Sequence, residues 1–175
     1  MDVRESSIPK LWTADTNNSS TRGVETGSAF VTMRDDTGEG YTGFWDWSKN
    51  RAQGTGSWTY PNNDICKGTF DKGKACGMCE YHFNNGDYYK GHMKHGKAHG
   101  FGKKVFCDGS TYEGGFSRDQ YEGTGTFVHR SMIKGDHFMF KRERGKWKKG
   151  EMINGFTTLY EKDGSVTQWH TIKLL

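Results

Sequence analysis

The stretch that decides the fold is residues 88–116, YYKGHMKHGKAHGFGKKVFCDGSTYEGGF, in which glycines recur at fixed distances between aromatic residues. The same spacing continues on both sides of this stretch. Five columns of residues keep steps of 23: Gly68, Gly91 and Gly114; Gly77, Gly100 and Gly123; Cys66, Tyr89 and Tyr112; Phe70, Met93 and Phe116; and the pair Gly86 and Gly109. Several columns that agree on one period predict an array of structural repeats.

The repeats divide the chain into three parts. A repeat array is expected over 27–165, preceded by an N-terminal segment, 1–26, that is partly flexible or caps the array. A C-terminal capping segment follows at 166–175. Within the array we place the units at 41–65, 66–88, 89–111, 112–132, 133–142 (a partial unit) and 143–165.

Each unit is expected to contain two short strands. The first follows Tyr-x-Gly-x-aromatic, as in residues 112–116, and the second follows Gly-x-Gly-x-x-x-aromatic, as in residues 100–106. Asn-Gly and Asp-Gly pairs, which favour hairpin turns, separate the units. The sequence therefore predicts an all-β fold: an elongated, single-layer antiparallel meander of repeated hairpins, with about twelve strands.

Glycine inside a strand usually weakens it unless another group packs closely there. Because side chains alternate between the two faces of a strand, each glycine of these patterns has an aromatic residue nearby on its own face. We interpret Gly91, Gly100, Gly102 and Gly114 as flat platforms on which aromatic rings of neighbouring strands lie.

The composition fits a thin structure better than a deep core. Only 32% of the 175 residues are hydrophobic, yet 14% are aromatic, which argues against disorder. A net charge of +4 is too small for a typical nucleic-acid binder, so no nucleic-acid partner is expected. With no secretory signal, apolar span or lipidation motif, we expect a cytoplasmic protein whose four cysteines are free thiols.

These residues resemble the MORN (membrane occupation and recognition nexus) repeat family, whose pattern runs Tyr-x-Gly-x-Trp/Phe-x-x-Gly-x-x-x-Gly-x-Gly before an Asp-Gly turn. The match is close over 89–109 and 112–125, and the resemblance extends over roughly 41–165. Cys66 and Ile133 depart from the first Tyr, Cys79 from a glycine and Asp119 from the middle glycine.

The resemblance implies a twisted sheet with a groove that binds a helix or an extended peptide of a partner protein. We expect a non-enzymatic scaffold, in a cytoskeletal or membrane-associated assembly, that needs no cofactor. A second copy of the chain is a further candidate partner, because open end strands can pair. The expected partner-binding residues are the aromatics of one repeat face: Trp45, Phe70, Tyr89, Tyr112, Phe116 and Trp147. The alternative for these rings is that they only cover glycines.

Two other functions stay open. A peripheral module that binds anionic phospholipid would use two basic stretches, with Lys90, Lys94, Lys97, Lys103, Lys104, Lys146, Lys148 and Lys149 as its residues. A small-ligand-binding or enzymatic variant of the fold is the second alternative, although no reactive group keeps a catalytic motif, so we assign no catalytic residue. Cys76 and Cys79 form a CxxC pair and are weak candidates for a metal, because no second pair accompanies them.

Overall fold

The computed structural model describes residues 13–14, 27–134, 137–161 and 164–173, and the chain divides into two compact units. The first unit is Met1–Asn85 with His92–Lys97, and the second is Gly86–Gly91 with Ala98–Leu175. The strands of the first unit are β1 (Thr13–Ala14), β2 (Ser28–Arg34), β3 (Gly40–Asp46), β4 (Arg51–Thr59), β5 (Ile65–Asp71) and β6 (Lys74–His82).

The second unit includes three strands, between residues 120 and 160, that are longer than any strand of the first unit. Strand β7 (Tyr88–Lys94) contributes residues to both units. The strands that follow are β8 (Lys97–Val105), β9 (Thr111–Ser117), β10 (Gln120–Lys134), β11 (His137–Lys148), β12 (Glu151–Tyr160) and β13 (Val166–Lys173).

Within each unit, every strand from β1 to β6 and from β8 to β13 pairs antiparallel with its neighbour in the chain. The described residues form no helix, and hence none that could cross a membrane. The predicted all-β meander of consecutive hairpins is therefore confirmed.

The glycine platforms are also confirmed, at most of the expected positions. A Cβ built on Gly102 would lie 2.6 Å from the Tyr89 Oη and 2.7–2.8 Å from its ring carbons. The Tyr112 ring covers Gly125 in the same way. A side chain at these glycines would occupy the space of the ring, so the repeat needs glycine there.

Gly100 is an exception, and our interpretation of it as a platform is wrong. Its φ is +71°, and Gly54, Gly77 and Gly123 of the same column have φ between +64° and +86°. The strand register shifts at this column, as it does between Tyr121 and Gly125. A bulge with a left-handed residue explains the glycine, because residues with a Cβ avoid that conformation.

Two-residue turns close the hairpins inside the repeats. Lys72 and Gly73 have φ of 53° and 75°, and both values are positive, as a type I′ turn requires. Arg118 and Asp119 do the same with φ of 51° and 70°, so Asp119 adopts the left-handed conformation in place of the family glycine. The Asp119 carboxylate also accepts a hydrogen bond of 2.8 Å from the Ala98 N–H.

These turns tie each repeat to the preceding one. The Gly73, Gly96, Asp119 and Gly150 N–H groups donate to the carbonyls of Ala52, Ala75, Ala98 and Tyr121, at 2.9–3.1 Å. The four acceptors are spaced by 23 residues. Repeats that bond only to their neighbours produce a stack whose stability comes from adjacent interfaces.

The hairpin β10–β11 departs from the repeat pattern. Residues 133–134 and 137–142, within the stretch 133–142 that was expected as a partial unit, belong to the far end of this hairpin. Its register shifts once, between His129 and Met132. Residues 128–132 lack the Asn-Gly or Asp-Gly pair that ends the earlier repeats, so β10 continues. The segment 166–173 is strand β13 and pairs with β12. The predicted N-terminal segment 1–26 lies outside the described residues, except for residues 13–14.

Candidate functional site

The sheet has one buried face, the inner face, to which the predicted aromatic residues belong. Trp45, Phe70, Tyr89, Tyr112, Phe116 and Trp147 are all buried, between 0% and 6% exposed. In the second unit they pack edge to face: the Tyr112 ring lies 5.2 Å from that of Phe116 and 5.4 Å from that of Trp147. The Trp147 indole N–H donates to the Gly125 carbonyl at 3.1 Å. These side chains form the core, and they offer almost no surface to a partner.

One repeat builds this face from two cysteines. Cys66 occupies the tyrosine position, Cys79 occupies the position of the glycine beneath the ring, and both are buried. The Tyr41 and Tyr112 hydroxyls donate to the carbonyl three residues later, in Phe44 and Gly115. In the cysteine repeat the equivalent carbonyl is that of Thr69, which lies 3.8 Å from the Cys79 thiol, while the Cys76 carbonyl lies 3.4 Å from it. The cysteine pair therefore fills the site of the tyrosine–glycine pair and places a hydrogen-bond donor near the same carbonyl.

The two thiols also interact with each other. A hydrogen bond to Cys79 raises the pKa of Cys66, with burial adding to the effect, and the same bond lowers the pKa of Cys79. Cys76, the other half of the CxxC pair, is half-buried, and burial raises its pKa. Among the described residues, no three His, Cys, Asp or Glu side chains are grouped so that they could hold a metal ion. Of the two predicted metal candidates, Cys79 therefore lies in the core of one repeat, and Cys76 is half-buried on the same strand.

The opposite face of the sheet, the outer face, carries the exposed aromatic side chains. In the first unit Phe30 and Phe44 are 59% and 45% exposed, and their rings meet edge to face at 5.6 Å. In the second unit Phe101 and Phe156 are 62% and 58% exposed. Large apolar side chains that remain in water are candidates for contact with another molecule.

A groove of about 720 Å³, the outer-face groove, lies in the second unit across strands β8 to β12. Two cross-strand rows line it. One row runs through Thr111, Val128, Arg142 and Thr158, and the other runs through Glu113, Thr126, Arg144 and Phe156. Phe101, Thr124 and Tyr160 complete the lining with backbone from Gly114 and Gly125. The size is typical of sites that hold a small molecule or a few residues of a peptide.

The charge of the groove is basic. Arg142 and Arg144 face it, and Glu113 is its one acidic lining residue. Glu113 lies 3.6 Å from the Lys103 ammonium, whereas neither arginine has a carboxylate partner among the described residues. The Arg142 guanidinium lies 5.3 Å from the centre of the Tyr160 ring, a cation–π contact that orients it.

A polar cluster lies behind the groove, on the inner face. Glu143 stands where other repeats have the tyrosine, and its carboxylate accepts from Lys141 at 2.7 Å and pairs with His129 at 2.6 Å. Burial raises the pKa of Glu143, but the hydrogen bonds from Lys141 and His129 lower it more, so the net pKa lies below the usual value. The cluster fixes β10 to β11 beneath the two arginines.

The lysines of the lipid-binding alternative do not behave as one set. Lys104 is largely buried and pairs with Asp87 at 3.1 Å, while its ammonium lies 4.6 Å from the centre of the Phe106 ring. Lys103 pairs with Glu113. Lys90, Lys94, Lys146, Lys148 and Lys149 are exposed, and Lys97 is half-buried. At least two of the eight lysines therefore pair with carboxylates of the second unit.

The sequence did not predict any of the groove residues Phe101, Arg142, Arg144, Phe156 and Tyr160 as a peptide-binding site. Arg142 and Arg144 belong to the second basic stretch, which was considered for lipid binding. A signal was available for three of them. Gly145 and Trp147 match the buried columns of the first strand, so by strand alternation residues 142 and 144 face the other side. Phe101 stands between two glycines in the same alternation.

The comparison with known families agrees with this geometry. The family model described as MORN repeat matches four times, over residues 46–65, 66–88, 89–111 and 112–131. No curated protein sequence matches the chain. MORN repeats are non-enzymatic repeats that generally interact with proteins or lipids. The periodic glycines, the rings over them and the four matches together show that this chain belongs to the MORN repeat family.

Proposed function

We propose that this protein is a non-enzymatic scaffold that binds a segment of a partner protein in the outer-face groove of its second unit. One observation carries the proposal: in a chain built from interaction repeats, the groove exposes Phe101 and Phe156 beside two arginines. Aromatic and arginine side chains supply most of the binding energy in protein interfaces, particularly when they lie together in a concave site.

The inner-face residues predicted from the sequence support this function indirectly. Trp45, Tyr89 and Tyr112 are buried, so their rings pack neighbouring strands of their own unit together on the face opposite the exposed side chains. Substituting them would remove core packing, at a cost of about 3–5 kcal/mol for a large aromatic changed to alanine. Such variants would lose partners by unfolding and would not test the groove.

A test needs exposed residues and a matched control. We would change Phe101 and Phe156 to serine in one variant, and Phe30 and Phe44 to serine in the control. Both pairs are exposed phenylalanines of the outer face, so the two variants differ mainly in whether the groove is altered. Affinity purification with mass spectrometry should recover a partner with wild type and with the control, and lose it with the groove variant.

A photo-crosslinking amino acid at Thr126, within the groove, should then link to that same partner. If the groove variant retains every partner, or if the control loses the same ones, the groove is not the binding site. Placement of the protein in the cytoplasm, within a cytoskeletal or membrane-associated assembly, stays a prediction that imaging of the tagged chain would check.

A further inference from the structure

We propose that the segment held by the outer-face groove is acidic: a short extended stretch of a partner protein whose carboxylates pair with Arg142 and Arg144. The inference rests on the proposed function and names the chemistry of the partner.

The first argument is charge. Arg142 and Arg144 project into the groove, where Lys103 already partly neutralises Glu113. Lys146 follows on the same face of β11, opposite Thr124, and extends the basic row. A carboxylate that reaches this row meets an excess of positive charge, and guanidinium groups bind carboxylates through two parallel hydrogen bonds.

The second argument is the shape of the site. Arg142 and Arg144 are two residues apart on one strand, so their Cα atoms are about 7 Å apart. Alternate side chains of an extended peptide have the same spacing. The hydroxyls of Thr111, Thr126 and Thr158 can also bond to the peptide backbone.

The shape of the groove also favours a peptide over a membrane surface. The two arginines line the same groove as Phe101, Phe156 and Tyr160, and a narrow chain can enter such a groove. A bilayer presents a broad plane of headgroups, and it would meet exposed lysines first. Of the basic residues expected for lipid binding, Lys103 and Lys104 pair with carboxylates of the second unit.

The experiment is a selection of random twelve-residue peptides, displayed on phage, against the immobilised full chain. Selected peptides should be enriched in Asp and Glu. One labelled peptide is then titrated by fluorescence polarisation against wild type and against the Arg142→Gln/Arg144→Gln variant. The control variant Lys67→Gln/Lys72→Gln removes two exposed positive charges of the first unit, outside the groove lining. Since a hydrogen bond to a charged group contributes about 1.5–3 kcal/mol, the arginine variant should bind at least about tenfold more weakly.

The control should bind within about twofold of wild type, and added salt should weaken wild-type binding more than that of the arginine variant. The selected peptides could instead be neutral, bind only when Phe101 and Phe156 are present, and keep their affinity for the arginine variant. That result would overturn the acidic preference and leave the proposed function standing. Binding to phosphatidylserine vesicles that requires both arginines, and that the acidic peptide does not compete away, would overturn the choice of a protein partner. A selection without any groove-dependent peptide would also overturn the inference, while the crosslinking from Thr126 decides the proposed function separately.

Discussion

Restoring the family pattern in the cysteine repeat gives a quantitative test of how the inner face is built. Cys66→Tyr alone places a ring where the Cys79 side chain lies. In the homologous repeat, a Cβ at Gly102 would already lie 2.6–2.8 Å from the Tyr89 hydroxyl and ring carbons, and Cys79 adds a sulfur atom to that Cβ. Overpacking of this kind costs about 1–3 kcal/mol.

Cys79→Gly alone also destabilises, but for different reasons. It leaves a void beside Cys66 and removes the thiol that lies near the Thr69 and Cys76 carbonyls. It also raises the conformational entropy of the unfolded chain. The backbone effect of glycine in a strand is about 0.5–1 kcal/mol, and the void adds about as much. Each single variant should therefore lose about 2 kcal/mol, which lowers the Tm of a protein of this size by about 4–8 °C.

The double variant, Cys66→Tyr with Cys79→Gly, should recover most of that loss. The ring introduced by the first substitution would lie over the glycine introduced by the second. Its hydroxyl would donate to the Thr69 carbonyl, as the Tyr41 and Tyr112 hydroxyls donate to the carbonyl three residues on. We expect the double variant to lie within about 1 kcal/mol of wild type, which corresponds to a favourable coupling energy of about 3–4 kcal/mol.

The assay is urea unfolding followed by circular dichroism and tryptophan fluorescence, on wild type, both single variants and the double. A matched control combines Cys66→Tyr with Cys76→Gly, which removes a cysteine from the same strand at a position that pairs with Thr69 and not with Gly68. The control should not rescue. Cys66→Tyr could prove as stable as wild type, or the double variant could prove no more stable than the less stable single variant. Either result would refute the hypothesis that the cysteine pair replaces the tyrosine–glycine pair of the other repeats.

Three further outcomes follow from the inner face and from the thiols. Gly125→Ala should lower the free energy of unfolding in urea by about 1–3 kcal/mol, because the new Cβ would meet the Tyr112 ring. The control Thr124→Ala, at an exposed position, should change it little. Equal losses in the two variants would argue against the platform. Glu143→Gln should reduce the loss of folding stability at acid pH. Because the pKa of Glu143 is lower in the folded protein than in the unfolded chain, its carboxylate stabilises the fold fully above the unfolded pKa of about 4.3. This stabilisation is lost as the pH falls through the folded pKa. A variant that loses stability between about pH 5 and 3 as steeply as wild type would contradict this. Cys107→Ser should remove the fastest phase of reaction with Ellman's reagent in the native protein, since Cys107 is the exposed cysteine, and an unchanged fast phase would place the reactive thiol elsewhere.

Much of the fold could be read from the sequence because the repeat is local. The 23-residue steps and the strand alternation predicted the hairpins and the residues that share a face. The bulges at Gly54, Gly77, Gly100 and Gly123 could not be separated from ring platforms in the same way. Glycine serves both purposes, and only the backbone conformation tells a left-handed residue from one that makes room for a ring.

The site was harder to predict, since both faces of the sheet carry aromatic residues. Strand alternation placed Trp45, Phe70 and Tyr112 on one face, but it did not show that their side chains are buried and out of reach of a partner. The extended hairpin β10–β11 was missed for a related reason. The loss of the repeat after residue 132 removed the only signal that periodicity offered.

By itself the sequence determined that this protein is a MORN-repeat meander, because the period, the glycines and the rings are set by contacts between neighbouring strands. Only the tertiary structure decided which face is core and which is surface. That choice depends on the side of the sheet on which the rings of several neighbouring strands pack together, and no single repeat encodes it. In the second unit Tyr112 and Trp147 are buried on one face, and Arg142, Arg144 and Phe156 line one groove on the other.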